Sequence, residues 1–304
     1  QLDDSFGHII FQLGSGLYGL REKREDGQIK LDHTRYKKIM SFCKATEIKL
    51  AQGAKQSGGI LKDVKNTETI SEIRGVHPHI DLISPNRFPF YKKDKESEFF
   101  DFIEKLSEES NGKPVGIKLV ISNEQNIEPI AKEIKKREGK SGPDWITIDG
   151  GDGGSGTAPI SMGIMYGKTI MPALKITNDV LKKHKVREYV KILASAKLYS
   201  PHMSARALAF GADAIGNARS IMISAGCIRA GLCSGENGDC PVGLATMKKQ
   251  NRKSYAQAMN EKINQIDNYM TAHNQELILV SAIAGVDSPS KLNESHISKL
   301  SEKL

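Results

Sequence analysis

One alternation governs what this chain can become: short β-rich runs separated by amphipathic helical stretches. The runs occupy residues 8–13, 46–50, 79–83, 114–120, 145–148, 189–194 and 212–215. Their starts lie roughly 25 to 45 residues apart, the length of a strand, a crossover helix and their loops. Several runs are apolar at consecutive positions, as strands are when helices cover a parallel sheet. Between them, Ile127, Ile130, Ala131 and Ile134 follow the i, i+3, i+4, i+7 spacing of one buried helical face, and Gly139 can end that helix. Phe99, Phe100, Ile103 and Leu106 do the same. Ser200-Pro201 offers an N-cap and a first-turn proline, and Gly211 closes that helix before the next run. Residues 254–280 read as helix, and Ser288-Pro289 starts a further short one.

Seven such units are one short of the eight that close a parallel barrel, and a doubly wound open sheet is the structural alternative. The glycines favour the barrel. Gly14-Ser15-Gly16, Gly53, Gly150-Gly151, Gly153-Gly154 and Gly216 all follow strand ends, where a barrel carries its active-site loops. The chain therefore divides into an α/β barrel over residues 1–245 and a C-terminal helical extension over 246–304.

Composition narrows the partners. Over 304 residues, 38% hydrophobic and 26% charged side chains describe an ordinary folded protein. The longest apolar run, residues 277–286, is too short to span a bilayer and includes Ser281 and Gly285. A formal charge of +8 raises the question of nucleic acid, but the lysines lie in short pieces such as Lys92-Lys93, Lys135-Lys136-Arg137 and Lys182-Lys183. No aromatic residues interleave with them as base stacking requires. A solvated helical face, or a docking face for an acidic redox partner, fits them better. The chain opens on Gln1, so any leader or membrane anchor is expected upstream. Three of its four cysteines, Cys227, Cys233 and Cys240, fall within 14 residues, while Cys43 stands apart. That grouping favours a metal or redox site over a disulfide framework and points to a reducing compartment, most simply the cytoplasm.

The densest chemical signal runs from Ile148 to Pro159 as IDGGDGGSGTAP. Glycines after a hydrophobic strand let backbone N–H groups approach a phosphate or a flavin edge, which makes Gly150 and Gly151 cofactor candidates. Asp152, within the loop, is a candidate for holding a substrate. Ser195-Ala196-Lys197 follows one late strand and Gly216-Asn217-Ala218-Arg219 follows the next; the last two such loops of a barrel frequently bind phosphate. Lys118 interrupts the apolar strand VGIKLV, where a lysine is costly unless it faces a polar site. Pointing inward, it can stabilise charge that builds on a reduced ring system. Lys49 raises the same question, and Gln52 and Lys55 beyond it can hold a substrate carboxylate. Three thiolates in one loop, the last followed by Pro241, can hold three corners of an iron–sulfur cluster. Unligated cysteines are the other reading.

Together these stretches resemble the synthase domain of glutamate synthase, particularly the short FMN-binding proteins of that family that lack a glutaminase. The matching pieces are LGSGLYG from Leu13, EIKLAQGAK from Glu47, LISP from Leu82, the Lys118 strand, the loop from Asp149 to Pro159, and Gly226-Cys227 onward to CPVGLAT from Cys240. Their order holds over nearly the whole chain. The resemblance implies a (β/α)8 TIM barrel with FMN at the carboxyl ends of its strands. It also implies a first strand and helix upstream of Gln1, which explains the count of seven. It places Gly14, Ser15, Lys118, Ala196, Lys197, Gly216 and Asn217 around the flavin, and Gln52 and Lys55 where 2-oxoglutarate or its imine binds. Cys227, Cys233 and Cys240 fall on the ligands of a 3Fe-4S cluster. Two positions depart from the family. Ile60 stands where full-length members carry a glutamine, which removes one polar anchor for a dicarboxylate. Six residues separate Cys233 from Cys240, more than the family usually has.

The function implied is a glutamate-synthase-like oxidoreductase acting on CH–NH2 donors. Electrons pass through the cluster to FMN and reduce a 2-imino acid, with Lys118, Lys55 and Gln52 at the reacting centre. An electron-donor protein or reductase subunit, a 2-oxo acid and ammonia or an amine would be its partners. A redox-inactive barrel kept as a scaffold is the competing expectation, and another FMN-barrel oxidoreductase a third. A nucleotide dehydrogenase with a cysteine nucleophile would need a cysteine in residues 149–159, which contain none.

Overall fold

The computed structural model describes residues 8–22, 30–53, 60–85, 87–153, 167–234, 240–246 and 248–297. Strands β1 (Ile10–Leu13), β2 (Ala45–Lys49), β5 (Val115–Leu119), β6 (Trp145–Asp149), β7 (Lys191–Ser195) and β8 (Ala214–Gly216) form one sheet in that order. Every pairing in it is parallel. Helices α1 (His33–Met40), α3 (Glu96–Glu109), α4 (Glu128–Lys136), α5 (Ile170–Lys183) and α6 (Pro201–Ala209) return the chain from one strand to the next. The outcome is an arc of a (β/α)8 barrel followed by helices α7 (Arg219–Ser224), α8 (Lys249–Gln257) and α9 (Met259–Ile283).

The period-two pattern of the strands separates core from site. Ile48, Val115, Ile117, Ile146, Ile148, Ile192 and Ala194 share one face and are fully buried. Against them pack Phe99, Phe100, Ile103 and Leu106 of α3, Ile130 and Ile134 of α4, and Leu174 and Leu181 of α5, in one continuous hydrophobic cluster. Each such aliphatic side chain contributes about 1.5–3 kcal/mol by leaving water. The alternate positions (Gln12, Glu47, Lys49, Lys118, Thr147, Asp149 and Ser195) face the other way, into the barrel. The strands are therefore apolar on one face only.

The expected helices α3 and α4 form with the expected buried faces. Gly139 adopts φ +69 and donates its N–H to the Ile134 carbonyl at 3.0 Å, ending α4. Ser200 and Pro201 stand at the N-cap and first turn of α6, although the Ser200 hydroxyl makes no capping bond. The 254–280 stretch is two helices, α8 and α9, parted at Ala258. Arg137 departs from the solvated-face expectation. It pairs with Glu133 at 2.8 Å and Asp101 at 2.7 Å, and its guanidinium lies 5.5 Å from the Phe100 ring centre.

The run at 79–83 is a correction. Its only strand, β4 (Leu82–Ile83), pairs antiparallel with β3 (Ile60–Leu61) in a separate ribbon, and the parallel sheet passes directly from β2 to β5. Prolines 78 and 85 bracket the run and supply no ladder N–H, and Ile83 is 66% exposed, so a central barrel position is closed to it. Helix α2 (Glu68–Arg74) stands between the two ribbon strands in sequence. Asn66 ties the segment together, its amide donating to the carbonyls of His77 at 2.7 Å and Ile80 at 3.2 Å.

Helix α9 packs on α6 and α7. Leu277, Val280 and Ala284 gather with Ala205, Ala209 and Leu292 in a second apolar cluster. Beneath them His273 is buried between the Ser204 hydroxyl at 3.1 Å and the Tyr269 hydroxyl at 3.2 Å. Burial holds its imidazole below the usual histidine range, against the opposing charge of Glu276. Among the described residues no helix is long and apolar enough to cross a membrane.

Candidate active site at the strand tips

Parallel strands deliver all their carboxyl ends to one edge of the sheet, and that edge carries the site. Lys118 is the penultimate residue of β5, Asp149 the last of β6, Ser195 the last of β7 and Gly216 the last of β8. Gln52 follows β2, Ala196 and Lys197 follow β7, and Asn217 follows β8. All of these line one cavity of about 490 Å³, whose opposite wall is made by residues 227–233 and 240–242. That volume lies in the range of small-molecule and cofactor sites.

Among the described residues the lining carries four cationic side chains, Lys118, Lys197, Arg219 and Arg229, and one carboxylate, Asp149. The Lys118 ammonium lies 3.5 Å from Asp149 Oδ1, with the two side chains only 17% and 12% exposed. Asp149 Oδ2 accepts the Gly53 backbone N–H at 2.7 Å, which ties the β2 loop to the tip of β6. Lys49 sits beside Lys118 in the register, and its Nζ donates to Gln52 Oε1 at 3.4 Å. Burial, then the neighbouring Lys118 charge, lowers the Lys49 pKa against the pull of Asp149 and Glu47. Beneath the lysines Glu47 accepts from Gln12 at 2.7 Å, from the Thr147 hydroxyl, and from the Trp145 indole at 3.4 Å. This carboxylate is supplied with three donors from two strands, β1 and β6, and forms a polar floor under the cavity.

Glycine permits two close approaches. A Cβ on Gly53 would stand 1.8 Å from the Gly150 carbonyl oxygen, so the β2 and β6 loops touch backbone to backbone. A Cβ on Gly116 would enter the Trp145 ring at 2.0 Å. Lys197, with φ 47, holds a left-handed conformation that costs a non-glycine residue about 1–2 kcal/mol, a kind of strain that gathers at functional sites.

The predicted residues divide into groups. Gln52, Lys118, Ser195, Ala196, Lys197, Gly216 and Asn217 come together on the cavity, as do the three cysteines. Gly150 and Gly151 do not line it. Their amides donate to the Ser195 carbonyl at 2.9 Å and the Lys168 carbonyl at 2.8 Å, and their packing joins loop to loop. Asp152 Oδ1 accepts the N–H of Ile170 at the start of α5, at 3.1 Å. Gly14 and Ser15 lie off the cavity at the tip of β1. The Ser15 hydroxyl donates to the Pro85 carbonyl at 2.6 Å and so joins that tip to the ribbon. Lys55 lies outside the described residues.

The cysteine wall has a different character. Cys240 is buried, Cys227 half-buried and Cys233 exposed, and all are free thiols. Burial pushes the Cys240 thiol up, but the backbone N–H groups of Ala245, Val242, Leu244 and Gly243 outweigh it, and its net shift is downward. The Lys65 ammonium donates to the Cys233 carbonyl, linking the cysteine loop to the segment after β3. Although the three thiols share one wall, no three His, Cys, Asp or Glu side chains are gathered closely enough to hold a metal among the described residues.

Asp149 and Arg229 line the cavity without being singled out by the sequence signals, and Arg219 enters those signals only as part of the loop after β8. Asp149 carries the same signal as Lys118, a charge ending an apolar strand, but the glycine run beginning at the next residue draws it into the loop pattern.

Comparison with known proteins agrees with this architecture. The family described as "Conserved region in glutamate synthase" matches residues 2–287. Glutamate synthase large subunit-like protein YerD of Bacillus subtilis (strain 168) is 39% identical over 95% of this chain and 53% of its own length. Archaeal-type glutamate synthase [NADPH] of Thermotoga sp. (strain RQ2) is 33% identical over 79% of this chain and 43% of its own. The chain thus spans about half the length of the first of these relatives and less of the second. In fold it is similar to a flavocytochrome b2 mutant with pyruvate bound, with a TM-score of 0.52 at 14% identity, over 97% of this chain and 55% of that one. The recombinant flavin-binding domain of baker's yeast flavocytochrome b2 gives 0.51 at 12% identity, over 94% of this chain and 53% of that one. With the family profile covering nearly every residue and the strand-tip site in place, the chain belongs to the glutamate synthase family.

Proposed function

We propose that this chain is the synthase part of a flavin-dependent oxidoreductase of glutamate-synthase type, acting on CH–NH2 chemistry and reducing a 2-iminoglutarate-like 2-imino acid to the amino acid. The observation that carries the reading is the cavity lining. Four cations and one carboxylate at the carboxyl ends of barrel strands suit an anionic cofactor together with an anionic substrate. FMN bound there supplies the hydride for the imine carbon. Lys118, fixed by Asp149, would balance negative charge that builds on the reduced ring of a flavin held there. Lys197, Ser195, Ala196, Gly216 and Asn217, on the two late loops, would hold the phosphate end. Gln52 has its carbonyl oxygen engaged by Lys49, which leaves its NH2 group to donate to a substrate carboxylate, with Lys55 as its companion. Ile60 supplies no such donor.

Ammonia or an amine comes from solution or from another polypeptide, and electrons from a donor protein or reductase subunit. Among the described residues no three His, Cys, Asp or Glu side chains are placed to hold a metal ion, and no electron step is assigned to a 3Fe-4S centre on Cys227, Cys233 and Cys240. The barrel to residue 245 forms the catalytic unit in this reading, and 246–304 buttresses it through α6.

The test is to load the chain with FMN, reduce it anaerobically, and follow flavin reoxidation by 2-oxo acids offered with ammonia or simple amines. Reoxidation by 2-oxoglutarate with ammonia, and by neither alone, is the expected result. A folded protein that takes up no flavin would overturn the proposal in favour of a scaffold role.

A further inference from the structure

Among the described residues that line the cavity, Asp149 is the odd one in sign. The other charged side chains, Lys118, Lys197, Arg219 and Arg229, suit phosphate and carboxylates, and none of them can accept a hydrogen bond. Asp149 can do nothing else when ionised, since a carboxylate is an acceptor on both oxygens. One oxygen, Oδ2, is taken at 2.7 Å by the Gly53 N–H. The other, Oδ1, has Lys118 at 3.5 Å, longer than the 2.7–2.9 Å of a tight charge-assisted bond. Oδ1 thus retains acceptor capacity on a cavity whose other charged side chains, among the described residues, are all cationic. An iminium or ammonium group entering that cavity meets cations at four points and one anion, so it is directed to Asp149 by attraction and by exclusion alike.

We infer that Asp149 is the specificity-determining residue for the substrate nitrogen: its Oδ1 accepts the N–H of a 2-iminium acid and of the α-ammonium in the amino acid product. The ligand class it selects is therefore a carboxylate that also carries a protonated nitrogen, over the same carboxylate without one. The inference rests on the amino-acid reading above. Gln52 complements it, since its amide, held by Lys49, offers donors for the carboxylate while Asp149 offers the acceptor for nitrogen. The glycine contact behind both residues fixes them at one edge of the sheet.

Calorimetric titration of the FMN-loaded chain with L-glutamate and with glutarate, which lacks the nitrogen, tests the assignment. The wild-type chain should prefer L-glutamate by about ten-fold, corresponding to about 1.4 kcal/mol. Asp149→Asn keeps an oxygen for the Gly53 N–H and removes the charge; it should abolish that preference while leaving glutarate affinity equal or higher. An unchanged ratio in the variant overturns the inference. So does an equal loss for both ligands, which would make Asp149 a support for the Gly53 loop alone. If the wild-type chain binds neither ligand, the amino-acid reading itself falls and takes the inference with it.

Discussion

The two walls of the cavity are built on different principles. On the strand-tip wall, Lys118, Asp149 and Glu47 are placed twice: by sheet register, and by a hydrogen bond or ion pair to another segment. Lys118 and Asp149 hold each other, Asp149 holds Gly53, Lys49 holds Gln52, and Glu47 gathers three donors from two strands. On the cysteine wall, Ile228 and Leu232 are exposed, Cys233 is exposed, and the links to the rest of the molecule run through backbone atoms such as the Cys233 and Cys240 carbonyls. The first arrangement suits chemistry that needs fixed geometry, and the second suits a surface that meets other molecules.

This contrast predicts where substitutions hurt. Gly53→Ala should be the most damaging, because its new Cβ meets a backbone oxygen at 1.8 Å and neither loop can yield alone. A loss of about 3 kcal/mol in urea unfolding is expected, at the upper end of overpacking costs. A loss below about 0.5 kcal/mol would mean that the strand-tip wall is as adaptable as the other and would break the comparison.

Lys49→Met sharpens the same contrast through pH. The folded state holds the Lys49 ammonium against burial and the Lys118 charge, so its folded pKa lies below the unfolded value near 10.4. Between those two values the unfolded chain binds more protons, and stability contributed at this site rises with pH. The penalty is complete below the lowered pKa and vanishes above the unfolded one. The variant should therefore gain on the wild type at neutral pH and lose that advantage as pH climbs toward 10.4, as read from urea midpoints across the window. A stability difference that stays constant with pH would remove the charge from the account.

The smallest effect belongs to the cysteine wall. Cys233 is exposed and offers only its carbonyl to Lys65, so Cys233→Ser should shift stability by less than about 0.5 kcal/mol. A loss comparable to that of Gly53→Ala would show that the cysteine wall is as over-determined as the strand tips.

Much of this site was legible from residue order, for reasons particular residues make plain. Lys118 announced itself because a charge in an apolar strand demands a polar destination, and the strand-end glycines announced the edge on which it lies. Asp149 gave the same signal but was hidden by the glycines that follow it, whose pattern dominates a reading by composition. The 79–83 run resembled a strand because it is short, apolar and followed by Ser84-Pro85. Only the direct pairing of Thr46 with Val115 shows that the sheet leaves it out. The gathering of the cysteine loop and the β7 and β8 tips around one cavity depends on how α7 and the loop after it turn back, which no local spacing records. Nor did spacing reveal what the bareness of Gly150 answers to: a Cβ there would stand 2.4 Å from Asp152 Oδ1 and 2.9 Å from the Ala196 Cβ, the latter distant in sequence and adjacent in space.

The meeting of Gly53 with Gly150 has a further consequence. Each is the immediate neighbour of a ligand-facing residue, Gln52 on one loop and Asp149 on the other. The thickness of two naked peptide units therefore acts as a calliper, setting the span between the group offered to a carboxylate and the group offered to a nitrogen. In the proposed reading substrate length would be gauged there by main chain, beyond the reach of ordinary side-chain drift. A descendant of this protein that came to handle a longer or shorter molecule would have to do so by altering the number of residues in one of the two loops.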